Sequence, residues 1–156
     1  PVPEPQPPPT AATVEPPKPA PPPVVLTPGS PEEDYNRAKA DYDRGNTELA
    51  RLEFEEYLKL YPDSERAPNA QFWLAECYYK SGDFARAAQE FRKVYTECPR
   101  NEKMADAMLN EGYARLKLEE NDAAITLFKR IIADYPVSTA AQSAKIKLDA
   151  ISKPGG

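Results

Sequence analysis

The stretch from Pro68 to Pro99 decides the fold and has the sequence PNAQFWLAECYYKSGDFARAAQEFRKVYTECP. Its apolar residues recur every three or four positions on both sides of Gly82-Asp83, a pattern typical of two amphipathic helices joined by a tight turn. It lacks the sustained alternation of apolar and polar residues that a β-strand would show. The stretch therefore predicts a helical hairpin.

The same hairpin pattern occurs three times, with a period of 37 residues. Pro62, Pro99 and Pro136 mark the period, and each should end a second helix because the residue before proline disfavours helical angles. Small residues that allow close helix approach recur in the same register, as do phenylalanines that fill the space between neighbours. These sets are Ala38, Ala75 and Gly112; Ala50, Ala87 and Ala124; and Phe54, Phe91 and Phe128.

A repeat of this length predicts an all-α fold, an α-solenoid of three helix hairpins plus a C-terminal capping helix, with seven helices in all. A single hairpin cannot cover its apolar face, so the hairpins must stack. The predicted domain spans 31–153. Its repeats are placed at about 31–63, 64–100 and 101–137, and its capping helix at 138–152.

Each helix should begin at a recognisable cap. Ser30-Pro31-Glu32-Glu33 has the form of a capping box with proline at the first helical position. Ser64, Asn101 and Ser138 are expected to cap the later first helices, because their side chains can accept a bond from a free N–H of the first turn.

Residues 1–30 have a different composition from the rest of the chain. Fourteen of the 19 prolines lie between Pro1 and Pro31, and such a segment buries too little apolar surface to fold. We predict a disordered linker that acts as an extended spacer. Docking of Pro5–Pro9 or Pro16–Pro23 as a proline-rich ligand is the alternative. Because the first residue is not methionine, a processed product or an excised fragment is expected.

The middle hairpin resembles a tetratricopeptide repeat. The period departs from that motif, at 37 residues instead of 34. The three additional residues predict that each first helix begins about one turn earlier than in the motif. Gln71 stands where the motif usually has tryptophan, and Trp73 follows two positions later. The residues that match the motif are Leu74, Ala75, Tyr78, Gly82, Ala87, Phe91 and Pro99.

Two stretches carry a closer resemblance, YPDSERAPNAQFWLAECYYKSGDFARAAQEF from Tyr61 and YPVSTAAQSAKIKL from Tyr135. With the Pro-rich linker, they resemble the C-terminal half of the Tol-Pal-associated periplasmic family (YbgF/CpoB type) over about 33–151. The resemblance implies a periplasmic protein that binds a Tol-system partner, TolA first of all, and also the peptidoglycan synthesis machinery. It further implies a role in coordinating outer-membrane constriction with peptidoglycan synthesis during cell division.

Members of that family normally carry an N-terminal trimerising coiled coil, which this sequence does not include. The resemblance therefore implies that oligomers form only through that missing coiled coil. A scaffold subunit of an outer-membrane assembly complex (BamD-like) is the alternative, since its repeats share similar sequence patterns. A cell-wall enzyme and a cytosolic scaffold are further hypotheses.

The composition argues against catalysis and against nucleic-acid binding. The chain has no histidine, which excludes Ser-His-Asp and Cys-His arrangements and most zinc sites. The formal net charge is −5, and the charges are interspersed as on a solvated helical surface, without a basic patch. No apolar run is long enough to span a membrane. We predict a non-enzymatic interaction protein with no cofactor, no metal and no nucleic-acid partner.

The two cysteines, Cys77 and Cys98, fall on the antiparallel helices of one hairpin. Cys77 should lie well away from Cys98, beyond the separation that a disulfide can bridge. We predict two unpaired structural thiols, with a redox pair or an intermolecular bridge as the alternatives.

Stacked hairpins form a superhelix whose inner groove is lined by the first helices. Family geometry predicts an aromatic groove with charged edges, which include Lys80 and Lys117. Such a surface suits an extended or helical peptide, because rigid aromatic side chains bury much area at little entropic cost. The alternative is that these rings only pack between repeats. The predicted partner-binding residues are Tyr35, Lys39, Tyr42, Phe72, Trp73, Glu76, Tyr79, Leu109, Tyr113 and Leu116.

Overall fold

The computed structural model describes residues 27–153 together with Val2, Pro3 and Pro5. This part of the chain forms seven α-helices and no strand, which confirms the predicted all-α solenoid. Most of the predicted linker, including both proline-rich ligand candidates apart from Pro5, lies outside the described residues. The helices are α1 (Pro31–Asp43), α2 (Thr47–Leu60), α3 (Ala67–Lys80), α4 (Phe84–Thr96), α5 (Met104–Lys117), α6 (Asn121–Asp134) and α7 (Thr139–Ser152).

The helices stack in chain order as three antiparallel pairs closed by α7. Each helix packs mainly against the helices before and after it, and α7 also contacts α5. The buried apolar residues form three adjacent clusters along the stack. Phe54, Phe91 and Phe128 are each fully buried, as expected for residues that fill the space between neighbouring helices.

The two helices of a hairpin approach each other at the small residues that the period aligns. Ala38 and Ala75 are fully buried. In the third hairpin the Phe128 ring fills the space that a side chain would need, because a Cβ atom on Gly112 would lie 2.4 Å from its Cε1. The absence of a side chain at Gly112 is therefore what admits the phenylalanine ring in that hairpin.

The turn within each hairpin uses one residue in the left-handed backbone region. Gly45 and Gly82 occupy it in the first two hairpins, with φ of 86° and 84°, at little cost because they have no Cβ. The third hairpin places Glu119 there with φ of 62°. The N–H of Glu120 still donates to the carbonyl of Arg115 at 2.9 Å, so the turn is kept although a side chain makes it strained.

Two of the predicted helix caps are confirmed. The Ser30 hydroxyl accepts from the Glu33 N–H at 3.2 Å, and the Glu33 carboxylate accepts from the Ser30 N–H at 3.0 Å, which completes the capping box of α1. Ser138 caps α7 by accepting from the Ala141 N–H at 3.0 Å.

The caps predicted at Ser64 and Asn101 are wrong. Their side chains accept from the N–H groups of Arg66 at 3.1 Å and Lys103 at 2.8 Å, two residues ahead. Such bonds stabilise a local turn that competes with helix. Consequently α3 and α5 begin only at Ala67 and Met104, and the extra residues of the period form a turn instead of an extra helical turn.

The expectation that the charged residues are solvated is wrong for several carboxylates. At some of these positions another repeat has an apolar side chain, since the 37-residue period aligns Glu111 with Leu74, and both Glu53 and Glu90 with Leu127. The buried carboxylates are Asp34, Asp41, Glu53, Glu90 and Glu111.

The segment before α1 is held against the end of the first hairpin. The Tyr61 hydroxyl, just after α2, shares its proton between the Gly29 carbonyl and the Asp34 carboxylate, each 2.9 Å away. The Gly29 N–H donates to Asp34 Oδ1 at 3.1 Å. Across 27–153, none of the helices is long and apolar enough to cross a membrane.

Candidate protein-binding groove

The candidate site is the inner face formed by α1, α3 and α5, which we call the groove. The Glu76 carboxylate in the middle of α3 joins the three helices. It accepts a hydrogen bond from the Tyr42 hydroxyl of α1 at 3.2 Å and another from the Asn110 amide of α5 at 2.6 Å. Hydrogen bonds between side chains therefore connect all three hairpins at the base of the groove.

A depression of about 250 Å³ lies in the C-terminal half of the groove, lined by Glu76, Tyr79, Asn110 and Tyr113. All four residues are half-buried, so each presents part of its surface to a ligand. Three of them were predicted from the sequence. Asn110 was missed, although the 37-residue period aligns it with the predicted Trp73.

An aromatic cluster around Trp73 forms the other half of the groove. The indole packs on Tyr42, with ring centroids 4.9 Å apart, and meets Phe72 edge-on at 5.4 Å. The Lys39 ammonium lies 4.3 Å from the centroid of the indole. Trp73 is half-buried, so it contacts the core clusters on one side and remains open to the groove on the other.

Four of the predicted binding residues lie mostly inside the protein. Tyr35, Tyr42 and Phe72 are each 7% exposed and Leu109 is 8% exposed, so they form the walls and base of the groove. Binding by the predicted residues stays a prediction. Fewer of these residues are accessible to a ligand than the sequence suggested. The half-buried members are Lys39, Trp73, Glu76, Tyr79, Tyr113 and Leu116.

Lysine side chains lie over aromatic rings in the groove or beside it, and we call them the groove lysines. An ammonium over an aromatic face is attracted by the negative charge of the ring face. Lys103 and Lys147 were not predicted, because each lies outside the helix positions that family geometry assigns to the groove. The groove lysines are Lys39 and Lys80, which cover Tyr42, Lys103 over Phe72, Lys117 over Phe84 and Lys147 over Tyr113.

The hydrogen bond between Tyr42 and Glu76 has a fixed donor. Burial raises the pKa of the Glu76 carboxyl, and the hydrogen bonds from Tyr42 and Asn110 oppose that effect. Burial, together with the nearby Glu76 carboxylate, raises the pKa of the Tyr42 hydroxyl well above its usual range. Tyr42 therefore remains a donor to Glu76 throughout the physiological range.

The cysteines contribute no reactive group to this surface. Both are unpaired, which confirms the sequence prediction. Burial raises the pKa of the Cys77 thiol to about 12 and also raises that of the partly exposed Cys98. Because the thiolate is the nucleophilic form, both are poor nucleophiles at neutral pH.

Comparisons with known proteins agree with this architecture. Two family models described as tetratricopeptide repeat match residues 35–102 and 79–148. The chain is similar to the Arabidopsis OM64 TPR domain, with 21% identity, a TM-score of 0.64, and coverage of 78% of this chain and 95% of that one. No curated protein sequence gives a significant match.

A second similar structure is the N-terminal domain of stress-induced protein-1 (STI-1) from C. elegans. It shares 21% identity with a TM-score of 0.62, and the match covers 74% of this chain and 91% of that one. At these identities the likeness shows the fold alone.

Proposed function

The chain belongs to the tetratricopeptide repeat family, and on that basis we propose that it is a non-enzymatic adaptor that binds a segment of a partner protein in the groove. The observation that carries the proposal is the depression between Tyr79 and Tyr113. Its two aromatic rings are half-buried, and the Glu76 carboxylate and the Asn110 amide, which are joined by a hydrogen bond, line the same depression.

This arrangement suits a peptide better than a small metabolite. Aromatic side chains with few rotatable bonds bury a large ligand area without losing much conformational freedom. The carbonyl oxygen of the Asn110 side chain stays available as an acceptor because its amide group donates to Glu76. An extended or helical segment could thus place an apolar side chain between the rings and a backbone N–H against Asn110.

For the partner we propose TolA, and for the location the bacterial periplasm. The support is the resemblance of two sequence stretches to the Tol-Pal-associated periplasmic family. The first stretch, Tyr61–Phe91, includes α3, which forms the middle of the groove, and the second, Tyr135–Leu148, includes most of α7. In this proposal the adaptor helps coordinate outer-membrane constriction with peptidoglycan synthesis during cell division.

A fluorescence titration with the periplasmic region of TolA tests the proposal. Trp73 is the single tryptophan of the chain and lies in the groove, so a tryptophan-free partner leaves one reporter. We expect a saturable change in Trp73 emission. Tyr79→Ala and Tyr113→Ala should weaken binding, because both rings line the depression.

The matched control is Lys129→Ala, an exposed position on α6 away from the groove helices, which should bind TolA like the unmodified chain. Far-UV circular dichroism would confirm that every variant keeps its helices. Binding that survives both tyrosine substitutions would place the contact on another face. Absence of binding in both fluorescence and calorimetry would reject TolA as the partner.

A further inference from the structure

We propose that the groove selects partner segments rich in aspartate and glutamate, whose side-chain carboxylates bind the groove lysines. This inference rests on the proposed function, since it names the chemistry of the segment that the groove takes. It concerns acidic side chains along the segment and not a terminal carboxylate.

The first argument is the position of the charges. The Lys80 ammonium lies 3.8 Å from the ring centroid of Tyr42, and that of Lys103 lies 5.1 Å from the centroid of Phe72. Farther along, Lys117 lies 6.0 Å from Phe84, and Lys147 lies 5.9 Å from Tyr113. The ammonium groups are thus spread over both halves of the groove instead of forming a single cluster.

The second argument is that most of these charges have no carboxylate partner within the chain. Among residues 27–153, the lysines that form ion pairs are Lys39 with Asp43, Lys59 with Glu56 and Lys93 with Glu90. Only the first of these three lysines lies in the groove. Lys80, Lys103, Lys117 and Lys147 therefore keep N–H donors available for a ligand.

The third argument is that two carboxylates near the groove lysines already have protein partners. Asp43 accepts from Lys39 at 2.5 Å, and Glu76 accepts from Tyr42 and Asn110. Asp106, in the first turn of α5, offsets part of the positive charge at one edge. A groove that presents ammonium donors beside aromatic faces is complementary to acidic residues interleaved with apolar ones.

Selection from a library of random peptides tests this inference. The peptides are displayed through their C-termini, so no free terminal carboxylate is present. The bait is the full chain, the triple variant Lys80→Gln, Lys117→Gln and Lys147→Gln, or the control variant Lys129→Gln. We expect aspartate and glutamate to be enriched on the full chain and on the control, and the enrichment to be lost on the triple variant.

Selected peptides should then be resynthesised with amidated C-termini and titrated against Trp73 fluorescence. Each lysine substitution should weaken binding roughly two- to fivefold, the range for an exposed ion pair, and the three together by roughly 10- to 100-fold. Replacing the acidic residues of the peptide by Asn and Gln should have a comparable effect. Raising the ionic strength above about 0.15 M should weaken binding further.

The outcomes separate this inference from the proposed function. Selection of peptides without an acidic excess, or an acidic excess that persists on the triple variant, would overturn the acidic preference and leave the groove as a peptide-binding site. If no peptide is selected, the acidic preference is also overturned. The TolA titration with Tyr79→Ala and Tyr113→Ala then decides the proposed function independently.

Discussion

The first and third hairpins each bury a glutamate, and the two carboxylates are satisfied very differently. Glu53, on α2, is 4% exposed, and its Oε1 accepts from Arg37 Nε at 2.9 Å. Its Oε2 is buried without any hydrogen-bond partner among the described residues. Glu111, on α5, is fully buried, yet one oxygen accepts from Arg115 Nε at 2.8 Å and the other from the Tyr95 hydroxyl.

The comparison shows that burial alone does not decide what a carboxylate contributes. A buried acceptor without a donor costs stability, whereas a carboxylate with donors on both oxygens can hold elements together. Glu111 also joins hairpins, because Tyr95 and Arg92, whose Nε lies 3.5 Å from its Oε1, belong to α4. Glu53 is paired with Arg37 inside its own hairpin.

The largest effect is expected for Glu111→Ala. The change leaves Arg115 without its buried partner and removes the acceptor of Tyr95, so the free energy of unfolding should fall by about 3–5 kcal/mol. Urea denaturation followed by circular dichroism measures this change. Glu120→Ala removes an exposed partner of the same Arg115 and should cost less than about 1 kcal/mol. Equal losses in the two variants would contradict the role of burial.

The next largest effect is expected for Gly112→Ala in the third hairpin. The new methyl group would overlap the Phe128 ring, so unfolding free energy should fall by about 1–3 kcal/mol. The first hairpin already carries Ala38 at the corresponding position, so the cost is specific to the contact with the Phe128 ring. Adding Phe128→Leu to Gly112→Ala should recover part of the loss, and no recovery would contradict the proposed clash. Thermal unfolding of the two variants and of the unmodified chain makes the comparison.

A gain in stability is expected for Glu53→Gln in the first hairpin. The amide oxygen can still accept from Arg37, and the amide nitrogen supplies a donor that the nearby Asp41 carboxylate can accept. We expect a gain of about 0.5–1.5 kcal/mol at neutral pH, the usual net contribution of one hydrogen bond. A loss in urea denaturation at pH 7 would show that the ionised form of Glu53 is needed.

The gain from Glu53→Gln should depend on pH. Burial, with Asp41 adding to it, raises the pKa of the Glu53 carboxyl against the opposing effect of Arg37. The folded-state pKa thus lies above the unfolded one, so ionised Glu53 costs stability above its raised pKa and the cost disappears as pH falls through it. The difference between the two proteins should shrink toward about pH 4.3, the ordinary pKa of glutamate.

The smallest effect concerns the turns of the same two hairpins. Glu119→Gly should raise the unfolding free energy by up to about 1 kcal/mol, because it relieves a left-handed conformation that a side chain disfavours. Gly45→Ala makes the opposite change in the first hairpin and should lower stability by a similar amount. The midpoint of urea unfolding reports both, and shifts of the same sign would contradict the strain argument.

The period carried most of the information about the fold. The prolines and the small residues that recur three times were enough to predict the seven helices. Small residues are required wherever two helices pack closely, so their positions mark the helix contacts. The starts of α3 and α5 were misplaced since Ser64 and Asn101 can bond either to a helix N–H or to an N–H two residues ahead. The sequence does not distinguish these two bonding patterns, which involve the same side chains.

The candidate groove could be predicted only in part. Family geometry identified the helix positions but not their depth, so Tyr35 and Leu109 were placed on a surface where they are mostly covered. Lys103 was missed because its ammonium reaches Phe72 from the cap of α5, a contact that depends on how α3 and α5 pack. For Glu111 there was a signal, since the period aligns it with the buried Leu74.

Tyr61 has a mechanical consequence for the chain that precedes α1. Its hydroxyl joins the Gly29 carbonyl and Asp34 to the end of α2, so the path of the backbone at Gly29 is set by the first hairpin and not by free rotation at Ser30. A pull on the N-terminal side would therefore load α1 and α2 together through these bonds. The first hairpin would carry this tension as one unit. The groove lysines on later helices, Lys80, Lys103, Lys117 and Lys147, would not be displaced by it.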